Sequence, residues 1–263
     1  MTVDRVWELR QYTLFPGRRD DLVEVFDRWF LEGQEDLGMC IQGQFYDLDR
    51  PDRFVWLRSF PDLTTRRGAL EGFYGGPVWA AHRDAANATM MNSDDVLLLR
   101  PMPLDGVEVP IDGRSDSALG NDRPQVDNDR PQVDNDRPPV GSTDRPGSLF
   151  GIDVYQLAPA AAEQTMSFFT TEVQPFLAAA GSTESSLLVT EPGPNDFPAL
   201  PVREGEQVIV RVARFDDEAA HAAYLTRLAR SDGWAQVEAE LSARLVAPSQ
   251  RLRLQPTARS RLR

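Results

Sequence analysis

Glu8-Leu9-Arg10-Gln11-Tyr12-Thr13-Leu14-Phe15-Pro16-Gly17 opens a run of landmarks that the chain later repeats, and the repeat decides the fold. At an offset of 143 positions Tyr12 meets Tyr155, Pro16 meets Pro159 and Gly38 meets Gly181, without a gap. Further along the offset is 155: Phe60 meets Phe215, Trp79 meets Trp234 and Pro101 meets Pro256. One insertion of 12 residues in the second copy, opposite the interval between Asp47 and Phe54, reconciles the two offsets.

Each copy spells the same order of elements. Val6 to Leu14 alternates as a strand does, and Pro16-Gly17 turns the chain. A helix is expected from Arg18 to Leu37, with Leu22, Val25, Phe26, Trp29 and Phe30 on one stripe and Gly38 as its stop. Strands are expected at Met39–Asp47, Phe54–Phe60 and Val96–Arg100, and helical segments between Asp62 and Met91 broken at Gly75-Gly76-Pro77. The second copy gives strands at Ile152–Leu157, Ser186–Thr190, Val208–Phe215 and Arg251–Leu254, with helices ending near Ala180 and Arg244. The order βαββαβ is that of a ferredoxin-like unit. The expected class is therefore α+β, with two tandem ferredoxin-like domains, 1–101 and 149–263.

Residues 102–148 differ from both flanks. Asn-Asp-Arg-Pro-Gln-Val-Asp begins at Asn121 and Asn128, and a variant begins at Asn135. The prolines exclude a coiled coil despite the seven-residue period, and large apolar residues are scarce, so a disordered acidic linker is expected.

Parity along the strands sorts the side chains. Trp7, Leu9, Val55, Leu57, Leu97 and Leu99 share an apolar face, matched by Phe150, Ile152, Val210, Val212, Leu252 and Leu254. That face is expected to carry the helices. The other face holds Glu8, Arg10, Tyr12, Trp56 and Arg58, matched by Gly151, Asp153, Tyr155, Arg211 and Ala213. Two such faces in one chain are expected to pack together around a partly polar interior.

Composition narrows the function classes. The net charge is -13, and no part of the chain is basic, which disfavours nucleic-acid binding. All 28 cationic side chains are arginine, as a GC-rich bacterial genome would produce. Cys40 is the only cysteine, so no intrachain disulfide forms, and a nucleophilic role has no partner in view. The first residues have no signal-peptide pattern and no run is long enough to span a membrane, so a cytoplasmic location is expected.

The blocks Glu8–Leu14 with Pro16-Gly17, Gly43-Gln44-Phe45, Phe54–Phe60, Phe73–Trp79 and His82–Met90 resemble the NIPSNAP family, in order and over residues 6–101. The second half keeps scattered landmarks of the same superfamily. The resemblance implies a dimeric α+β barrel, here closed by the tandem copies within one chain as a pseudo-dimer. It implies relatives that degrade haem, oxygenate or isomerise without cofactors, or bind ligands, while the family itself has no settled catalytic activity. Haem-degrading relatives carry an asparagine on the first strand where this chain has Arg10 or Tyr12, which argues against that chemistry.

The candidate site follows from parity. Arg10, Arg58 and Arg211, with Tyr12, Tyr155 and Trp56, are expected to face the barrel interior and hold a small anionic, partly apolar or aromatic molecule. The competing reading is internal pairing, with Asp153 and Glu8 as counter-charges supplied by the strands themselves. His82, three residues after Trp79, is the candidate catalytic residue, a general base unless it is a half-buried structural histidine. His221, in an alanine-rich helix, is expected at the surface. Asp216-Asp217-Glu218 reads as a helix cap, not a metal site. No metal or cofactor is expected. The expected partners are the small ligand and the two domains for each other, with a homodimer as an option. The alternatives to a ligand-binding protein are a cofactor-independent monooxygenase or isomerase, and a non-catalytic adaptor.

Overall fold

β1 (Val6–Leu14) is buried along nearly its whole length on both faces, and that double burial organises the molecule. A strand with one wet face would alternate; one buried on both sides needs a layer against each. The computed structural model describes residues 5–102, 137–182 and 184–263, and shows both layers.

The first half continues through α1 (Arg19–Val25), a π-helical turn (Phe26–Phe30), α2 (Leu31–Glu35), β2 (Cys40–Asp47), β3 (Arg53–Phe60), α3 (Leu63–Tyr74), α4 (Pro77–Asn87) and β4 (Met90–Pro101). The second half has β5 (Leu149–Leu157), α5 (Ala162–Phe168), a second π-helical turn (Phe169–Val173), α6 (Gln174–Ala179), β6 (Ser185–Thr190), β7 (Gln207–Phe215), α7 (Glu218–Ala229), α8 (Trp234–Ser242) and β8 (Gln250–Pro256). Local devices recur at the offsets read from sequence. Gly38 and Gly181 both adopt positive φ where a helix ends, a conformation that a β-carbon would strain. Asp62 and Asp217 each cap the following helix by accepting from the backbone N–H three residues on.

The strands close into one antiparallel barrel in the order β1-β3-β2-β8-β5-β7-β6-β4. Pairing within a half is long, as from Leu149↔Phe215 to Leu157↔Gln207 between β5 and β7. The halves join at two short seams. One runs from Phe45↔Pro256 to Asp47↔Leu254, the other from Leu99↔Thr190 to Pro101↔Leu188.

The interior reverses the expected orientation of the faces. Trp7, Leu9, Val55, Leu57 and Leu99 form one buried cluster with Phe150, Ile152, Val210, Val212 and Leu254 from the other half. Phe45 and Phe150 meet there, ring centroids 5.3 Å apart. The apolar face therefore fills the barrel, as side chains do in eight-stranded barrels. The face with Glu8, Arg10, Tyr12 and Trp56 looks outward, beneath the helices. Burying a dozen apolar side chains against each other outweighs covering them with two short helices, and the helices can satisfy the polar face with their own arginine and glutamine.

Residues 137–148 of the expected linker are described, and they pack against the first half. The repeats from Asn121 to Asp136 lie outside the described residues. Arg137, however, pairs with Glu35 at 2.7 Å, and the Arg145 guanidinium sits 3.9 Å over the Tyr46 ring. After β8 the chain stays docked: the Leu262 N–H donates to the Gln42 carbonyl, and its side chain joins the interior cluster. Gly43 is required there, because a β-carbon would stand 2.4 Å from the Phe45 ring. Among the described residues no helix is long and apolar enough to cross a membrane.

Candidate functional site

Between the outward face of the first half's sheet and its helices lies a cavity of about 340 Å³. β1 and β3 contribute Arg10, Tyr12 and Trp56 to its floor. The π-helical turn, a local widening that often marks functional sites, contributes Phe26 and Phe30. Phe73, Tyr74 and Trp79, at the break between α3 and α4, complete an aromatic wall. Pro77 starts α4 at a position where its missing N–H costs no bond, so the break is built into the sequence.

Beneath this floor is a cluster of buried charge. The Glu8 carboxylate accepts from Arg10 at 2.7 Å, Arg58 at 2.8 Å and Arg66 of α3 at 2.7 Å. Arg58 also donates to Gln34 at 2.9 Å, and Arg66 pairs with Asp196. Burial alone would raise the Glu8 pKa; Arg58, Arg10 and Arg66 together outweigh it and hold the carboxyl well below its ordinary range. Among the described residues three guanidiniums thus face two carboxylates, which leaves the cluster one positive charge in excess.

Arg10 turns its Nε toward the Tyr12 oxygen, to which it donates at 2.9 Å. Burial raises the Tyr12 pKa, so the phenol keeps its proton at neutral pH. With its oxygen occupied by Arg10, that proton is available to another acceptor. The indole N–H of Trp56, which also lines the cavity, has no hydrogen-bond partner among the described residues.

The roof comes from the other half. The insertion that breaks the repeat falls in the loop between β6 and β7, and its Phe197, Ala199 and Leu200 line the cavity. Phe197 stacks on Tyr74 at 6.0 Å, and Asn195 accepts from Arg66 at 3.2 Å. Arg203 fastens the far end of the loop to Asp95 at 3.1 Å.

Of the residues expected at the site, Arg10, Tyr12 and Trp56 meet in this cavity, with Arg58 behind them holding Gln34 and Glu8. Asp153, Tyr155 and Arg211 do not join them. They line a separate cavity of about 110 Å³ under the second half's helices, where Asp153 and Arg211 pair at 3.0 Å. His82 lies outside both linings, stacked on the exposed Trp29 at 4.1 Å. His221, expected at the surface, is instead 8% exposed and lines the second cavity. Its spacing to Tyr224, Leu225 and Leu228 is i, i+3, i+4 and i+7, a stripe that the surrounding alanines obscured.

The NIPSNAP family model matches residues 7–104. No curated protein matches the chain. A solved anthrone oxidase-like protein is 11% identical with a TM-score of 0.57, the alignment covering 97% of this chain and 92% of that one. A candidate monooxygenase of Lactobacillus acidophilus NCFM is 9% identical with a TM-score of 0.51, covering 96% and 94%. An uncharacterised NIPSNAP-like domain protein of Burkholderia xenovorans is 22% identical with a TM-score of 0.36, covering 41% and 93%. The two full-length likenesses show a shared barrel fold.

Proposed function

We propose, from the premise that residues 7–104 belong to the NIPSNAP family, that the chain binds a small, mostly apolar molecule bearing an anionic oxygen in the cavity under the first half's helices. The excess positive charge of the Glu8 cluster carries this reading. An uncompensated buried guanidinium is costly, and a ligand carboxylate or enolate at Arg10 and Tyr12 would relieve the cost. The aromatic wall suits a flat apolar body, and the volume lies at the small end of ligand pockets. We further infer that 1–101 and 149–263 are two ferredoxin-like domains closed as a pseudo-dimer, so that the roof loop makes the site a joint product of both.

A second reading, cofactor-independent oxygenation or isomerisation of the bound molecule, is favoured by the Arg10–Tyr12 contact. A phenol polarised by a guanidinium is suited to stabilising a developing enolate oxygen. The lining contains no carboxylate and no imidazole among the described residues, which favours binding over proton abstraction.

The test is quenching of tryptophan fluorescence by 2-naphthoate, with 2-methylnaphthalene as the uncharged control, since Trp56 and Trp79 line the cavity. Saturable quenching by naphthoate, weakened at least tenfold in Arg10→Gln and in the cavity-filling Leu200→Trp, is expected. Quenching that neither variant weakens, or none at all, would overturn the reading in favour of a filled barrel acting as an adaptor.

A further inference from the structure

Gly151 and His221 occupy, in the second half, the places that Glu8 and Arg66 occupy in the first: Glu8 plus 143 is Gly151, and Arg66 plus 155 is His221. In the first half those places hold an ion pair of 2.7 Å that fills the space between sheet and helix. In the second half the carboxylate is gone. A β-carbon at Gly151 would stand 3.9 Å from His221 Nε2 and 3.4 Å from the Phe215 ring, both ordinary contacts. Gly151 is not in the positive-φ region, so the backbone does not demand glycine there. What the glycine supplies is open space in front of an imidazole nitrogen.

That space is the second cavity. α7 is anchored by Asp217, whose carbonyl accepts from the His221 N–H and whose side chain accepts from the Ala220 N–H. This fixes His221 and Tyr224 over the sheet, opposite Tyr155 on β5 and Arg211 on β7. Neither ring nitrogen of His221 is hydrogen-bonded to protein among the described residues. Among the described residues, Arg211, Arg251 and Arg253 line the cavity with one carboxylate, Asp153. The outer two are partly engaged elsewhere, Arg251 with Glu238 and Arg253 with Asp49 and Glu218.

We propose that this cavity is a second binding site, separate from the first, that takes a small aliphatic carboxylate between His221 and Arg211. The size selects the class: about 110 Å³ admits a few heavy atoms and excludes the aromatic molecule proposed for the larger cavity. Arg211 selects the sign: it is the buried cation of the lining, and a ligand carboxylate would share it with Asp153 and Ser182. Burial, then Arg253 and Arg211, lower the His221 pKa against the opposing pull of Asp153 and Glu218. The imidazole is therefore neutral at pH 7 and able to donate one hydrogen bond to a carboxylate oxygen. The proposal rests on the second half's residues and stands whether or not the first cavity binds anything.

The chain has two histidines, so imidazole ¹H–¹⁵N correlation spectra of the full-length protein contain two spin systems, and His82→Gln assigns them. Titration with acetate and propionate at constant ionic strength, balanced with chloride, should shift the His221 signals saturably, leave His82 unmoved and raise the His221 pKa. Gly151→Val, which fills the space without straining the backbone, should weaken binding at least tenfold while the circular dichroism spectrum is preserved. His221 signals that do not respond through about 100 mM carboxylate, that respond equally to chloride, or that respond unchanged in Gly151→Val would overturn the proposal.

Discussion

Glu8 of β1 and Arg66 of α3 meet in an ion pair of 2.7 Å in which neither side chain touches solvent. The contact ties sheet to helix with charge where the pattern of a half-buried strand would use hydrocarbon. Glu8→Gln keeps the shape and removes the charge, leaving Arg10, Arg58 and Arg66 with Asp196 alone. A loss of about 3–5 kcal/mol in urea unfolding is expected. Because the Glu8 pKa is depressed on folding, its contribution is present above the unfolded carboxyl value and is lost as pH falls below it. Wild type should therefore lose stability in acid more steeply than Glu8→Gln below about pH 4.5.

Asp27 behaves in the opposite sense. It is 7% exposed, its Oδ1 has no hydrogen-bond partner among the described residues, and burial pushes its pKa up to about 6 despite Arg259. A group whose folded pKa is raised contributes stability at low pH that is lost as pH climbs through the folded value. Asp27→Asn should stabilise the protein by about 1–3 kcal/mol at pH 7.5 and leave it unchanged near pH 3.5. Thermal melts across that range measure the difference.

The C-terminal segment is part of the core. Leu262 is 2% exposed in the interior cluster, and Arg259 bonds to the Asp27 carbonyl, Glu32 and the Pro138 carbonyl. Leu262→Ala is expected to cost about 2–4 kcal/mol in guanidinium unfolding, without moving the naphthoate affinity of the first cavity, whose lining it does not join.

Phe197 is the reachable edge of the roof. Phe197→Ala removes the stacking on Tyr74 while Arg203–Asp95 and Arg66–Asp196 still hold the loop. Stopped-flow quenching should show naphthoate leaving about tenfold faster, with a melting temperature shifted by only a few degrees.

How far the sequence could be read depends on which signal each feature leaves. Element order was legible, because Gly38, Pro77, Asp217 and the strand alternations act locally: Arg53–Phe60 and Val6–Leu14 stand within a residue of expectation. β4 starts earlier than expected, at Met90, since its first turns of strand are exposed and carry no apolar alternation. The orientation of the sheet was not legible. Both faces are buried, and the charged one is covered because Arg66, Asp196 and Gln34 come to it from elsewhere in the chain. No pattern within β1 encodes those partners. The same blindness scattered the candidate site, since Arg10 and Arg211 share a parity but serve opposite walls. Internal pairing, the competing reading, describes Arg211–Asp153 and Arg10–Glu8 as they stand. The roof left a trace in the 12-residue insertion, whose position was visible and whose destination was not.

The barrel interior has a consequence for assembly. Its cluster of Trp7, Leu9, Phe45, Phe150, Ile152 and Val210 has the chemistry of an obligate subunit interface, yet the two surfaces belong to one polypeptide. A half made alone would present that sheet face to water together with two unpaired edges, β2 and β4. Its cheapest remedy is a second copy of itself, so severing the chain should convert a folding problem into a concentration-dependent choice between the native pairing and two self-matched ones.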